Sequence, residues 1–222
     1  MGRHQPHLLV PPPGPDGAIE VDVETRRHLE KVLRYPDGGS VTYTDGAGLL
    51  GNGAWEGASL VRGDERTLSR SGPVTVAVAP PHSSSRVRFL VEKLGELGIG
   101  RLLWLRTEHG QGKPPRPEKA GAWARAALEQ SGGVWLMAIA GPVTIGELSG
   151  WGTPVFAERG GRQPYHLDDV ADPVLCIGPE GGWAPAEIPE GAPRVHLGDP
   201  VLRVETAAIV GAALMLYGSG DG

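Results

Sequence analysis

Cysteine is nearly absent from this chain of 222 residues. Cys176 stands alone, which excludes an intramolecular disulfide, and its apolar neighbours place it in a core. That usage predicts the cytoplasm. No apolar run reaches the length of a membrane span. The opening residues, MGRHQPHLLVPPPG, lack the basic start, long apolar centre and cleavage site of a signal peptide. The pattern GxxxxGK[ST] occurs nowhere, so no P-loop is expected. The 7 histidines, His4 and His7 among them, are scattered and form no ligand set, so no metal is expected. Aromatic residues make up only 5%, but a hydrophobic content of 40% suffices for a core, and 35 glycines with 21 prolines predict many turns.

A basic excess is missing too: the formal net charge is −5. The distribution qualifies this. Residues 86–125 carry nine Lys or Arg against four Glu, whereas residues 166–200 carry seven acids and one arginine. The first stretch predicts a local basic face, the minimum that a polyanion partner needs, or a merely solvated helix face.

Up to about residue 70 the pattern is short strands and turns. "SVTYTDGAG" (40–48) alternates and breaks at Asp45-Gly46, and "GASLVRG" (57–63) is a second short strand. Residues 46–51 match GxGxxG, but a strand follows where a phosphate-binding helix would begin, so they read as a hairpin loop. "ETRRHLEKVLR" (24–34) predicts an amphipathic helix with Leu29, Val32 and Leu33 on one side. Together these suggest a small β-barrel.

After Gly72-Pro73 strands alternate with helices. "VTVAVAP" (74–80), "RLLWLRT" (101–107), "PVFAE" (154–158), "PVLCIG" (173–178) and "PRVHLG" (193–198) read as strands. "SSSRVRFLVEKLGELG" (83–98) opens on serines suited to an N-cap and spaces Val87, Leu90, Val91, Leu94 and Leu97 for a helix. Residues 116–133 and "VETAAIVGAALMLYG" (204–218) are further helices, and residues 160–173 read as a polar loop. Trp123 and Trp135 are expected in a core or interface. This order predicts a mostly parallel α/β domain.

Two segments carry chemistry. "LCIGPEGGW" (175–183) runs four apolar residues into three glycines, a proline and a carboxylate. "HLGDPVLRVETAA" (196–208) turns at Gly198 and passes through Leu202-Arg203 into a helix. Both follow strands, so both can sit at the carboxyl edge of one sheet, where such sheets bind ligands. Glycine there lets a ligand approach bare backbone.

These two segments resemble the IGPEGG and LR.ETA signatures of the SPOUT-class ribosomal RNA uridine-N3 methyltransferases. "FLVEKLGELGIG" (89–100), "RTEH" (106–109), "ALEQSGG" (127–133) and "RHLEKVLR" (27–34) are similar to further family segments, in the same order along most of the chain. The resemblance implies an α/β protein with an N-terminal PUA-like β-barrel (1–73) for RNA binding, followed by a trefoil-knot SPOUT methyltransferase domain (74–222). It implies a homodimer that uses S-adenosyl-L-methionine to methylate uridine N3 in small-subunit (16S) ribosomal RNA, within a ribosomal particle. Ile177, Gly178, Pro179, Gly181 and Gly182 would line the cofactor, with Leu197, Gly198, Leu202, Arg203 and Thr206 opposite.

Uridine N3 is a poor nucleophile until its proton leaves, so such an enzyme must remove that proton and stabilise the anion. Arg203 is the candidate for charge on the uracil oxygens or for a phosphate. Glu205 is the candidate for removing the proton or orienting Arg203, or it simply favours the helix dipole. Glu180 is a second carboxylate or a former of its own loop. Arg26, Arg27, Lys31 and Arg34 in the barrel, and Arg86 and Arg88 at the domain junction, offer charge to RNA. Gly133, His109 and Pro200 stand where the family has basic residues, which bears on RNA contacts and on the target nucleotide. Two alternatives stay open: a ribosome-assembly factor that keeps the fold without catalysis, and a methyltransferase acting on another base or on ribose.

Overall fold

The computed structural model describes residues 5–14, 17–70, 72, 74–163, 167 and 169–217. His4 and the ends of expected segments at residues 73 and 218 lie outside them. The described residues form two compact units. One comprises those up to Arg70 together with Arg125–Leu136, the other Gly72–Ala124 together with the chain from Met137 onward.

In the first unit, strands β1 (His7–Leu9), β2 (Ile19–Glu20), β3 (Gly39–Thr44), β4 (Leu49–Glu56) and β5 (Ser59–Thr67) form one curled sheet in the order β1-β3-β4-β5-β2. Alternation turns Val41 and Tyr43 inward, where they meet Leu8, Val10, Leu29, Trp55 and Leu60. The GxGxxG stretch divides between a turn and a strand. Asp45 Oδ1 accepts from the amides of Ala47 (2.7 Å) and Leu49 (3.1 Å), and β4 begins at once. The turn is therefore shorter than the expected loop. Gly51 lies opposite Tyr43, and a Cβ on it would stand 2.2 Å from the ring's Cζ. That glycine makes room for an aromatic ring, not for a phosphate.

The helix expected over 24–34 is corrected. α1 (Val23–Arg27), capped by Asp22 accepting from the Thr25 amide at 2.8 Å, gives way to a π turn over His28–Leu33. The wider winding breaks the 3.6-residue spacing. Leu29 alone is buried, while Val32 and Leu33 are 66% and 44% exposed.

His7 sits inside this unit. Its Nε2 lies 2.8 Å from the Gly133 carbonyl, which can only accept, so Nε2 carries the proton and Nδ1 accepts from the Thr42 hydroxyl at 2.8 Å. Burial holds the ring's pKa below the ordinary histidine value of 6.5, outweighing the opposing pull of the Gly133 carbonyl and Glu129. The unfolded chain therefore takes up this proton first. Its contribution to stability is complete above about pH 6.5 and is lost as the pH falls through that value. Chemical denaturation is expected to show a decline in stability between pH 7 and 5.5 that His7→Gln abolishes.

In the second unit, β6 (Thr75–Val78), β7 (Arg101–Leu105), β8 (Ala138–Val143), β9 (Thr153–Arg162), β10 (Pro173–Ile177) and β11 (Arg194–Val195) make a fully parallel sheet, ordered β11-β9-β10-β6-β7-β8. One face carries Val76, Val78, Leu102, Trp104, Val155 and Leu175. It packs on α2 (Ser84–Glu96), the start of α3 (Pro117–Ser131) and α4 (Val204–Tyr217). The other face carries Ala77, Leu103, Phe156, Val174 and Cys176 under Leu148 and Trp183. Both faces are covered, which is why these strands read as unbroken apolar runs. Burial pushes the Cys176 thiol up to about 12, so it holds no thiolate near neutral pH.

Three strand expectations change. β9 extends to Arg162, taking in residues expected to be loop, because β11 pairs along it across an irregularity in register. β11 keeps only two of the six residues expected. β8 was not anticipated, since its "AIAGPV" carries a Gly-Pro pair. On α2, Ser83 stands at the N-cap, but its hydroxyl meets Ser85 Oγ at 2.8 Å and bonds no backbone amide. Among the described residues no helix is long and apolar enough to cross a membrane.

Candidate active site

All six strands of this sheet run one way, so the segments leaving β6, β7, β10 and β11 share its carboxyl edge. Contacts tie all four together. The β10 loop turns through Gly182 at φ +74, with the Gly182 amide donating to the Pro179 carbonyl at 2.9 Å. Gly178 lies under Trp183, where a Cβ would approach the ring to 2.8 Å. Trp183 is fixed edge-on against Phe156 and donates from Nε1 to the Ala157 carbonyl at 3.3 Å.

The β7 segment joins this loop twice. His109 Nδ1 lies 3.2 Å from the Gly182 carbonyl, and Glu187 accepts from the amides of Glu108 (2.7 Å) and Ala184 (2.8 Å). His109 thus braces the glycine loop. Glu187 is the glutamate downstream of the glycines, and its role as a clasp between two loops was not readable from spacing.

The helices bring the third connection. Arg86, on the first turn of α2, reaches Glu180 (Nη1–Oε1, 3.5 Å) and Glu205 at the start of α4 (Nε–Oε1, 3.5 Å). Glu205 is 6% exposed, and its Oε2 is buried without a hydrogen-bond partner. An orphaned carboxylate oxygen is costly unless a ligand or a proton meets it.

The predicted residues fall as follows. Ile177 and Pro179 are buried, Gly181 and Gly182 are exposed on the loop, and Leu197 packs near Gly211 of α4. Gly198 takes φ +128, and Arg203 and Thr206 are exposed. Among the described residues the Arg203 guanidinium has no hydrogen bond or ion pair, so Glu205 engages Arg86 and not Arg203. Arg88 pairs with Glu92 at 2.7 Å on its own helix, away from the cluster. Arg26, Arg27, Lys31 and Arg34 are exposed and belong to the other unit. A cleft of about 720 Å³ opens beside the loop, lined by His82, Glu108, His109, Gln111, Glu180 and Gly181.

Residues 69–216 match the model of the RNA methyltransferase domain. The chain belongs to the RNA methyltransferase family. It is 30% identical to the Ribosomal RNA small subunit methyltransferase E of Synechocystis sp., over 89% of this chain and 72% of that one. A probable rRNA-methyltransferase from Porphyromonas gingivalis superposes with a TM-score of 0.80 at 24% identity, covering 95% and 97% of the two chains. The Ribosomal RNA small subunit methyltransferase E of Neisseria gonorrhoeae, crystallised with S-adenosyl methionine, gives 0.79 at 22% identity, covering 96% and 98%. These likenesses establish the fold class, a curled N-terminal β unit with a SPOUT-type α/β unit. In this RNA methyltransferase the matched region contains every residue of the Arg86–Glu180–Glu205 cluster.

Proposed function

We propose that this RNA methyltransferase transfers a methyl group from S-adenosyl-L-methionine to N3 of a uridine in small-subunit ribosomal RNA. In this reading it is a cytoplasmic homodimer whose substrate is a ribosomal particle. The N-terminal barrel (1–73) grips RNA through Arg26, Arg27, Lys31 and Arg34, and the SPOUT domain (74–222) carries the chemistry. The observation that carries the reading is the buried Glu205, joined through Arg86 to the glycine loop that ends β10.

The donor set suits this cofactor. Its sulfonium and ammonium groups are cationic, and Glu108 and Glu180 line the cleft beside Gly181. Backbone at Ile177, Gly178, Pro179, Gly181 and Gly182 holds it on one side, with Leu197, Gly198, Leu202, Arg203 and Thr206 on the other. The cofactor supplies an electrophilic methyl group. The chain's own residues do the rest. Glu205 accepts the N3 proton, and Arg203, whose guanidinium has no partner among the described residues, balances the charge that spreads onto the uracil oxygens.

Two measurements test this. Calorimetric titration with S-adenosyl-L-methionine is expected to show binding that Gly181→Trp removes; a folded wild type that does not bind would leave an RNA-binding assembly factor instead. Small ribosomal subunits incubated with deuterated-methyl cofactor are expected to yield labelled N3-methyluridine in their RNA by nucleoside mass spectrometry. Label on ribose or on another base would overturn the target.

A further inference from the structure

A second groove adjoins the cleft and differs from it in charge. It has a volume of about 540 Å³ and presents Lys113, Arg116 and Lys119 over a wall made by Pro114, Pro115 and Trp123. Among the described residues no carboxylate lines it. The neighbouring cleft, by contrast, carries Glu108 and Glu180, and the two share His82 and Gln111.

The three cations are unspent. Arg86, Arg88, Lys93, Arg162 and Arg194 of the same unit each pair with a carboxylate. Among the described residues Lys113, Arg116 and Lys119 have no ion pair. Lys119 is instead held over the Trp123 ring, 5.2 Å from its centroid, and Trp123 itself packs against the core. A cation over an aromatic face keeps its charge and loses freedom, so less entropy remains to be lost when an anion arrives. Lys113 precedes two prolines whose fixed backbone angles stiffen the same wall.

We infer that this groove is a phosphate-binding track for single-stranded RNA, leading the strand to the acidic cleft. The inference rests on the methyltransferase reading for what happens at the end of the track, but not for the binding. The physical logic is a division of charge. An acidic rim suits a cationic methyl donor and repels phosphate, so the nucleic acid needs separate cations within reach of the same loop. Lys113, Arg116 and Lys119 supply them on one side of His82 and Gln111. Within the basic stretch 86–125 the α2 cations and Arg125 meet carboxylates, and this trio is the group of unpaired cations gathered in one groove.

The test is fluorescence anisotropy of a labelled single-stranded oligouridylate of about ten nucleotides, without cofactor, over a salt series. The variant Lys113→Ala/Arg116→Ala/Lys119→Ala changes exposed side chains only. Its RNA affinity is expected to fall about tenfold or more at low salt. The slope of log affinity against log salt is expected to shrink by about 2, at about 0.7 per lost phosphate contact. Its affinity for S-adenosyl-L-methionine should stay at the wild-type level.

Arg101→Ala/Arg159→Ala, outside the groove, should change neither RNA quantity. An unchanged salt slope in the triple variant overturns the track, as does an equal loss per charge in the control. Groove-dependent RNA binding by a protein that never transfers a methyl group would keep the track and sink the methyltransferase reading. Methyl transfer at wild-type KM for RNA in the triple variant would do the reverse.

Discussion

Glu205→Gln is expected to slow methyl transfer about 10²- to 10⁴-fold while leaving S-adenosyl-L-methionine affinity near the wild-type value. The substitution preserves volume, so the packing of the α4 start is kept. What it removes is the ability to take a proton. In the wild type Oε1 faces Arg86 at 3.5 Å, and Oε2 has no donor among the described residues. That second oxygen is the acceptor the fold leaves over at the carboxyl edge of the sheet.

Arg203→Ala should produce a comparable loss, about 10²- to 10³-fold, felt in kcat more than in KM because the charge it balances arises only as N3 is deprotonated. The pH profile separates the two roles. Without the base, N3 deprotonation depends on hydroxide, so raising the pH partly rescues Glu205→Gln, whereas loss of Arg203 lowers the whole curve. A Glu205→Gln enzyme working near the wild-type rate would reduce Glu205 to a partner of Arg86 and of the helix dipole.

Leu175→Ala is expected to lower the unfolding free energy by about 2–5 kcal/mol, read from denaturant midpoints. Leu175 is fully buried in β10, which lies between β9 and β6. Its side chain points at α4, where Gly211 has no side chain to hold the helix off. A Cβ on Gly211 would lie 2.6 Å from Leu175 Cδ2 and 3.3 Å from Leu197 Cδ2. Leucine and glycine are thus shaped to each other, and truncating the leucine leaves a void that the helix cannot collapse into without shifting Glu205. A loss below about 1 kcal/mol would mean that α4 repacks freely, and its placement of Glu205 would then need another anchor.

Much of this molecule follows from local pattern. Apolar spacing located α2, apolar composition located α4, apolar runs located β6, β7 and β10, and the two glycine-containing segments were found at the ends of strands. Those features depend on neighbours two to four positions away, so one sequence displays them. The same local reasoning failed where winding or pairing overrode it. Val32 and Leu33 face solvent because a π turn replaces the α-helix, and β9 outruns its predicted end because β11 needs a partner.

The engagements of the site were decided at longer range. Arg86 was expected to offer charge to RNA, and the structure adds that it reaches Glu180 and Glu205. Glu187 clasps two loops, and His109 braces the glycine turn. The unpaired trio of Lys113, Arg116 and Lys119 could be told from the paired cations of α2 only once their surroundings were known. By itself, the sequence determined α2, α4 and the central strands, the alternation of strand and helix, and the two glycine-containing segments, because hydrophobic periodicity and turn chemistry act within a few residues. Only the tertiary structure decided which charge meets which, because an ion pair is set by distance and burial, and those arise when the sheet brings remote segments to one edge.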